Sequence, residues 1–326
     1  MVSRYRGLII AVIVAMLVLC SVIIYIKMIG EHVENVGEEV SSREVVVVDA
    51  LNRSIGFNET PSRVVSLAPS ITEIVFSLDL EDRLVGVDSN SYNTTYLGIN
   101  GYCREHGIAD VGGYWWSMVN VEKIISLNPD LILADKGAHI KLNQTFAEYG
   151  LKVVYLNGGS AESVNDVYSD IKIIGRIFNV SNKADNLINS IEEKIASARQ
   201  YIKDKGLEGT RILIVVGVYE NNIYVVGKNT FIADLIERIG LENAVDISGW
   251  PGLGIETIME SNPDIIFIEA MGIDEAVVEE LGLPTICNNI VYLNTTETDL
   301  LSRPGPRIGD AALVLAYRVY GVYGGS

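Results

Sequence analysis

Apolar and polar positions along this chain switch repeatedly between two periods. Short β-branched runs, VVVV at 45–48, RVVSL at 63–67, RLVGV at 83–87, LILA at 131–134 and KVVYL at 152–156, predict strands. A second set comes later: RILIVVG at 211–217, IYVVG at 223–227, IIFIE at 265–269 and IVYL at 290–293. Segments with helical spacing separate them, and such alternation predicts parallel sheets covered on both faces. Between the two sets, residues 161–205 are strand-free. ESVNDVYSDIKIIGRIF and KADNLINSIEEKIASARQYIKDK both carry apolar residues at helical spacing, with Leu187, Ile188, Ile191 and Ile195 in the second. The break at NVSN predicts two helices, the second a strut joining two lobes.

One paragraph of the sequence is written twice. VEKIISLNPDLILAD (121–135) and IETIMESNPDIIFIE (255–269) agree at Glu122 and Glu256, Ile124 and Ile258, Asn128 and Asn262, Pro129 and Pro263, Asp130 and Asp264, and Ile132 and Ile266. In each copy the first, fourth and fifth positions make an apolar helical face. The Asn-Pro-Asp that follows stops the helix, because the residue before proline disfavours the α region. A buried strand comes next. A fainter echo, ITEIVFSLDLEDRLV (71–85) against IADLIERIGLENAV (232–245), supports duplicated lobes.

The N-terminal pattern is different in kind. Residues 7–26, GLIIAVIVAMLVLCSVIIYI, carry no charge, and at about 1.5 Å per residue a helix of that length spans roughly 30 Å, a bilayer core. Arg4 and Arg6 precede it, which places the N-terminus in the cytoplasm. A cleavage site is not evident, and Cys20 lacks the small residue expected before a lipidated cysteine. The reading is an uncleaved signal anchor over 1–27, with the remainder outside the cell and attached to its membrane by one pass. Residues 28–44 are polar and Gly/Ser-spotted, a tether.

Composition narrows the class. A chain of 326 residues exceeds one small domain. The net charge of −17 argues against a nucleic-acid partner and suits a basic protein partner. Asn-x-Ser/Thr sequons begin at Asn52, Asn58, Asn93, Asn143, Asn179 and Asn294, consistent with an exterior location. Cys103 and Cys287 fall in different halves and read as free or buried thiols. Enzyme chemistry is poorly represented. His32, His106 and His139 have no second ligand at metal spacing, VGKNT at 226–230 lacks the phosphate-loop pattern, and no G-x-S-x-G elbow occurs.

PSRVVSLAPSITEIVFSL (61–78), VGGYWWSMVNVEKIISLNPDLILA (111–134), GWPGLGIETIMESNPDIIFI (249–268) and RPGPRIGDAALVLA (303–316) are spread in order over 45–326. Together they resemble the solute-binding proteins of ABC importers whose lobes are linked by one long helix, the class that binds cobalamin, ferric siderophores and haem. The implied fold is α/β: two parallel-sheet, Rossmann-like lobes (45–160 and 207–326) joined through a helical linker (161–206), behind the transmembrane anchor. The implied partners are an ABC permease with its ATPase and a metal-chelate ligand, a corrinoid ahead of a ferric siderophore or haem. No resident cofactor and no enzymatic activity are expected, and the free chain is expected to be monomeric. An extracellular chelate-modifying enzyme or a surface sensor on the same scaffold is the competing reading.

Ligand contacts are expected from Tyr114, Trp115 and Trp116, with Tyr92 and Tyr96 as weaker candidates, from Trp250 on the opposite lobe, and from Arg303. Arg307 is equally suited to satisfying carbonyls at the turn before the last helix. Glu73 lies in an S-x-x-E pattern with Ser70 that reads as a capping box. The resemblance implies that Glu73 and Glu256, one per lobe, dock on permease arginines. Locally, Glu256 reads as a carboxylate favoured by the helix dipole.

Overall fold

Each β-branched run predicted as a strand is one. The computed structural model describes residues 19, 21–27, 44–220, 222–269 and 272–324, and residues 1–44 and 45–326 separate into two units. Most of the apolar run at 7–26 and nearly all of the tether lie outside the described residues. Among the described residues no helix is long and apolar enough to cross a membrane.

The second unit begins with an antiparallel hairpin of β1 (Val45–Val48) and β2 (Ser54–Phe57). The first large sheet holds β3 (Val64–Ser66), β4 (Leu84–Val87), β5 (Ala109–Asp110), β6 (Leu131–Asp135) and β7 (Val153–Leu156) in the order β5-β4-β3-β6-β7, all parallel. The chain winds outward from β3 to β5 and then returns to β6. A switch point therefore lies between β3 and β6, and ligands of such sheets bind beyond the strand carboxyl ends there.

The second sheet departs from the expectation of a purely parallel lobe. Its strands are β8 (Arg211–Tyr219), β9 (Asn222–Val225), β10 (Glu242–Asn243), β11 (Gly252–Leu253), β12 (Ile265–Ile268) and β13 (Ile290–Tyr292). β12 pairs in parallel with β8 and β13, and β10 in parallel with β8. However, β9 runs antiparallel to β8, and β11 antiparallel to β9. The cause is local: Tyr219 pairs with Asn222 across a tight hairpin turn with Glu220 at φ 54°, leaving no room for a crossover helix.

The linker segment consists of two helices packed along their length. Helices Val164–Ile177 and Ser181–Asp204 bury Ala184, Ile188, Ile191, Ile195, Ala198 and Ile202 in a single stripe of the longer one. These residues belong to one apolar cluster with Val64 and Leu133 of the first sheet, Ile212 and Phe267 of the second, and Leu315 of the last helix, Ile308–Gly324. The two sheets thus share a core. Cys103 and Cys287 are free and buried, as their positions in different halves predicted.

The repeated paragraph has a structural explanation. Both copies form a short helix, Val121–Ser126 and Ile255–Ser261, followed by β6 and β12. Asn128 and Asn262 each stand at φ 46°, a left-handed conformation that asparagine tolerates. Asp130 accepts the backbone N–H groups of Ser62 and Arg63, and Asp264 that of Arg211. Arg63 and Arg211 in turn donate to carbonyls at the ends of those helices, Leu127 and Asn128 in one lobe and Ser261 and Asn262 in the other. Asn-Pro-Asp is a joint between helix end and neighbouring strand in both lobes.

Candidate functional site

The helix before each of β6 and β12 runs back along its sheet, so its N-terminus lies at the strand carboxyl ends. The candidate aromatic residues lie at those ends too. Tyr114, Trp115 and Trp116 follow β5, Tyr92 sits in the Ser89–Asn93 helix after β4, and Trp250 lies in the segment between β10 and β11. Trp115, Trp116 and Trp250 are 57%, 40% and 39% exposed, which for tryptophan is a large unburied apolar area. Phe231 packs 6.4 Å from Trp250, and the Phe231 N–H donates to the Ala161 carbonyl at 3.1 Å. Ala161 lies two residues beyond Gly159, whose N–H holds Asp135 at the foot of the Tyr114 side chain. The aromatic loop of one sheet and Trp250 of the other are linked through this path.

The loop is built with little tolerance. Gly112 stands at φ 104°, and a Cβ there would lie 2.2 Å from the Met118 carbonyl oxygen. A Cβ on Gly113 would meet the Met118 side chain. Two glycines thus let the chain fold back so that the Gly113 N–H donates to Met118 and the Met118 N–H to Trp115. Lys141 places its ammonium 4.7 Å from the Trp116 ring.

Beneath the loop lies a polar web that the sequence reading did not single out. The Tyr114 hydroxyl donates to Asp135 Oδ2 at 2.7 Å, the Gly159 N–H to the same oxygen, and the Ala138 N–H to Oδ1. Burial first, then the Asp135 charge, hold the Tyr114 phenol far above its ordinary range, so it remains a donor. Gly158 at φ 51° would put a Cβ 2.3 Å from Asp135 Oδ2. The glycine pair of NGGS therefore admits the carboxylate, and this is the signal that could have found it. Behind it Asp170, buried, accepts the N–H groups of Asn157 and Gly158, and burial raises its pKa to about 7.

Glu73 is buried within an ion cluster. Its side chain is 1% exposed, and it accepts from Arg307 Nε at 2.9 Å, from Arg307 Nη2 at 2.6 Å and from Arg303 Nη1 at 2.7 Å. Nor does it cap a helix with Ser70: the Pro69–Ser77 helix starts with proline in its first turn behind Ala68, and Ala68 makes no side-chain cap. Glu73 instead ties the first lobe to the segment before the last helix. Gly305 permits the approach, since a Cβ on it would lie 3.3 Å from the Ser70 carbonyl. Arg307 also stacks 3.9 Å above the Tyr96 ring. Burial, followed by the Glu73 charge, pushes the Tyr96 phenol up to about 12. Arg303 reaches Glu73 and Asp299, and its remaining exposure is small.

Tyr92 is half-buried and stacks against Arg104, 5.6 Å from the guanidinium. Asp88 caps its helix through the N–H groups of Asn90 and Ser91, and burial raises its pKa to about 6. Glu122 and Glu256 occupy the same place in the two copies, the first turn of the helix that begins at the strand carboxyl ends, and both are exposed. Among the described residues no group of three His, Cys, Asp or Glu side chains is placed to hold a metal ion.

The family model described as periplasmic binding protein matches residues 64–285. An uncharacterized ABC transporter substrate-binding lipoprotein of Bacillus subtilis (strain 168) is 30% identical over 284 residues, 85% of each chain. A cobalamin-binding protein of Halobacterium salinarum is 27% identical over 274 residues, 80% of this chain and 70% of its own. The structure of a possible iron-binding protein of Staphylococcus epidermidis superposes with a TM-score of 0.65 at 26% identity, covering 80% of this chain and 100% of that one. The vitamin B12 binding protein of Vibrio cholerae gives 0.64 at 20% identity over 81% and 98%, a likeness of fold. With two sheets sharing a core, aromatic rims at their carboxyl ends and a match over most of its length, this chain belongs to the periplasmic binding protein family.

Proposed function

We propose that this protein is the extracytoplasmic substrate-binding component of an ABC importer, capturing a bulky metal chelate, a corrinoid ahead of a ferric siderophore or haem, between its two lobes. The observation that carries this reading is the set of three exposed tryptophans at the carboxyl ends of two linked sheets. Flat apolar surface with polar edges suits a macrocycle held by shape and stacking. Relatives named for cobalamin and vitamin B12 point the same way. The test is calorimetry with cobalamin, cobinamide, haem and ferric siderophores. Sub-micromolar binding of an iron chelate with no corrinoid binding overturns the ligand choice, and binding of none overturns the transport reading.

Docking on the permease falls to Glu256 and, in this reading, to Glu122 in place of Glu73. One exposed carboxylate per lobe at the same position of a duplicated unit fits a two-fold partner bearing arginines. The Glu122→Gln, Glu256→Gln double variant should keep ligand affinity and lose stimulation of the partner ATPase. The run at 7–26 serves as the membrane anchor. Because one relative is a lipoprotein, lipidation at Cys20 is the second reading, and the mass of the mature N-terminus separates the two.

A further inference from the structure

We propose that His139 is a positioning residue: its Nε2–H holds the Tyr114 carbonyl, while Asp135 holds the hydroxyl of the same tyrosine, so that Trp115 and Trp116 stand as a preformed surface. The inference rests on the reading of that loop as ligand-facing. His139 itself is fully buried and offers nothing to a ligand. Both of its ring nitrogens are committed. Nδ1 accepts the Asp135 N–H at 3.0 Å, which leaves the proton on Nε2, 2.6 Å from the Tyr114 carbonyl oxygen. Only one tautomer of the uncharged ring satisfies both contacts.

Tyr114 is thus held at its backbone and at its far end, with its ring edge-on to the imidazole at 5.7 Å and to Trp115 at 5.2 Å. Other backbone ties of the loop include the Gly113–Met118 and Trp115–Met118 bonds, the bridge between Gly112 and Val119, and the Ser89 N–H donating to the Gly112 carbonyl. A pinned Tyr114 fixes the take-off of the two tryptophans, and the ordering cost of the loop is met on folding rather than on binding.

The clamp is sensitive to acid for a geometric reason. A protonated ring donates from both nitrogens, and its Nδ1–H would then face the Asp135 N–H. Burial lowers the His139 pKa, opposed by the Asp135 carboxylate. The other groups around the ring are Tyr114 from the loop and, from β7, Tyr155, whose hydroxyl donates to the His139 carbonyl and whose ring carries the Arg53 guanidinium at 5.0 Å.

The test is hydrogen exchange across residues 113–118 of the ligand-free protein, followed by titration with cobalamin and with haemin. His139→Leu should speed loop exchange at least tenfold and weaken binding about tenfold, whereas His139→Gln, which can present a donor near the Nε2 position, should restore most of both. Lowering the pH from 7.5 to 5.5 should loosen the loop of the parent, after correction for intrinsic exchange, but not that of His139→Gln. If His139→Leu does not fold, the parent and His139→Gln decide the matter through that pH difference. Unchanged loop protection in His139→Leu, or identical acid profiles for parent and His139→Gln, overturns the proposal. Unchanged affinity in His139→Leu despite a loosened loop overturns the positioning role. A Trp115→Ala, Trp116→Ala double variant then shows where the fault lies: if it loses binding, only the His139 proposal fails, and if it binds normally, the ligand-facing assignment fails with it.

Discussion

The two copies of the repeated unit agree at one end and part company at the other. At the strand amino ends Asp130 and Asp264, Asn128 and Asn262, and Arg63 and Arg211 make the same joint. At the carboxyl ends the copies finish in Asp135 and Glu269, both buried but differently held. Asp135 accepts from a tyrosine and two backbone N–H groups, while the Glu269 side chain has the Ser302 hydroxyl. The loop over Asp135 is a pinned aromatic turn. Its counterpart carries a single tryptophan between Gly249 and Pro251. Duplication kept the chemistry that joins helix to strand and let the ligand side diverge, as expected where the scaffold is shared and the site is grafted upon it.

The largest effect should come from the charge cluster of Glu73, Arg303 and Arg307 that crosses between the lobes. Removing Glu73 leaves two arginines facing each other beside the half-buried Tyr96 ring, so Glu73→Ala should cost roughly 3–5 kcal/mol, the usual range for breaking a buried pair. Glu73→Gln, which keeps an acceptor, should cost less. Urea unfolding measures both. A loss near zero would mean that Glu73 is exposed in solution and available for docking after all.

The joints should rank by their bonds. Asp130 receives the Ser62 N–H and hydroxyl and the Arg63 N–H, whereas Asp264 receives the Arg211 N–H. Asp130→Ala should therefore lose about 2 kcal/mol and Asp264→Ala about 1 kcal/mol. Equal losses would show that the two joints are energetically interchangeable despite the extra serine.

Much of this was legible in the chain, and the failures share a cause. Strands, helices and the Asn-Pro-Asp stops follow from period and local sterics, which a short window contains. The fate of Glu73 does not, because its partners lie 230 and 234 residues away. The local S-x-x-E pattern favoured a cap that the helix never makes. Asp135 and His139 were likewise invisible as a pair, since what unites them is Tyr114 arriving from another loop. The hairpin at Tyr219–Asn222 was missed for a different reason: two strands of buried type read alike whichever way they run.

The tryptophans come next in size. Trp250→Ala and the Trp115→Ala, Trp116→Ala double variant should each weaken ligand binding at least tenfold, about 1.4 kcal/mol. Stability should stay within about 0.5 kcal/mol of the parent, since these rings are exposed. Loss of binding from one side alone would mean that the ligand is held by a single lobe.

The smallest effect, and the one that tests the divergent acids directly, is the pH dependence of Glu269→Gln. Burial, offset in part by the Ser302 hydroxyl, raises the Glu269 pKa to about 7. An unfolded glutamate titrates near 4.3. Between these values the unfolded chain has released its proton and the folded chain has kept it, so the folded state binds more protons and stability falls as the pH rises. Below about pH 4 the group makes no demand, and above about 7 the full cost of a buried charge is present. Asp170, at about 7, and Asp88, at about 6, act in the same direction. His139 opposes them, because its lowered pKa makes stability fall as the pH drops below the ordinary histidine value near 6.5. Glutamine at 269 mimics the protonated acid at every pH. Melting temperatures of parent and Glu269→Gln should therefore coincide at pH 4 and separate progressively to pH 8, with the variant the more stable. Parallel melting curves for Glu269→Gln and the parent across that range would mean that water or a backbone group stabilises the ionised form, and the two ends of the repeat would then be alike after all.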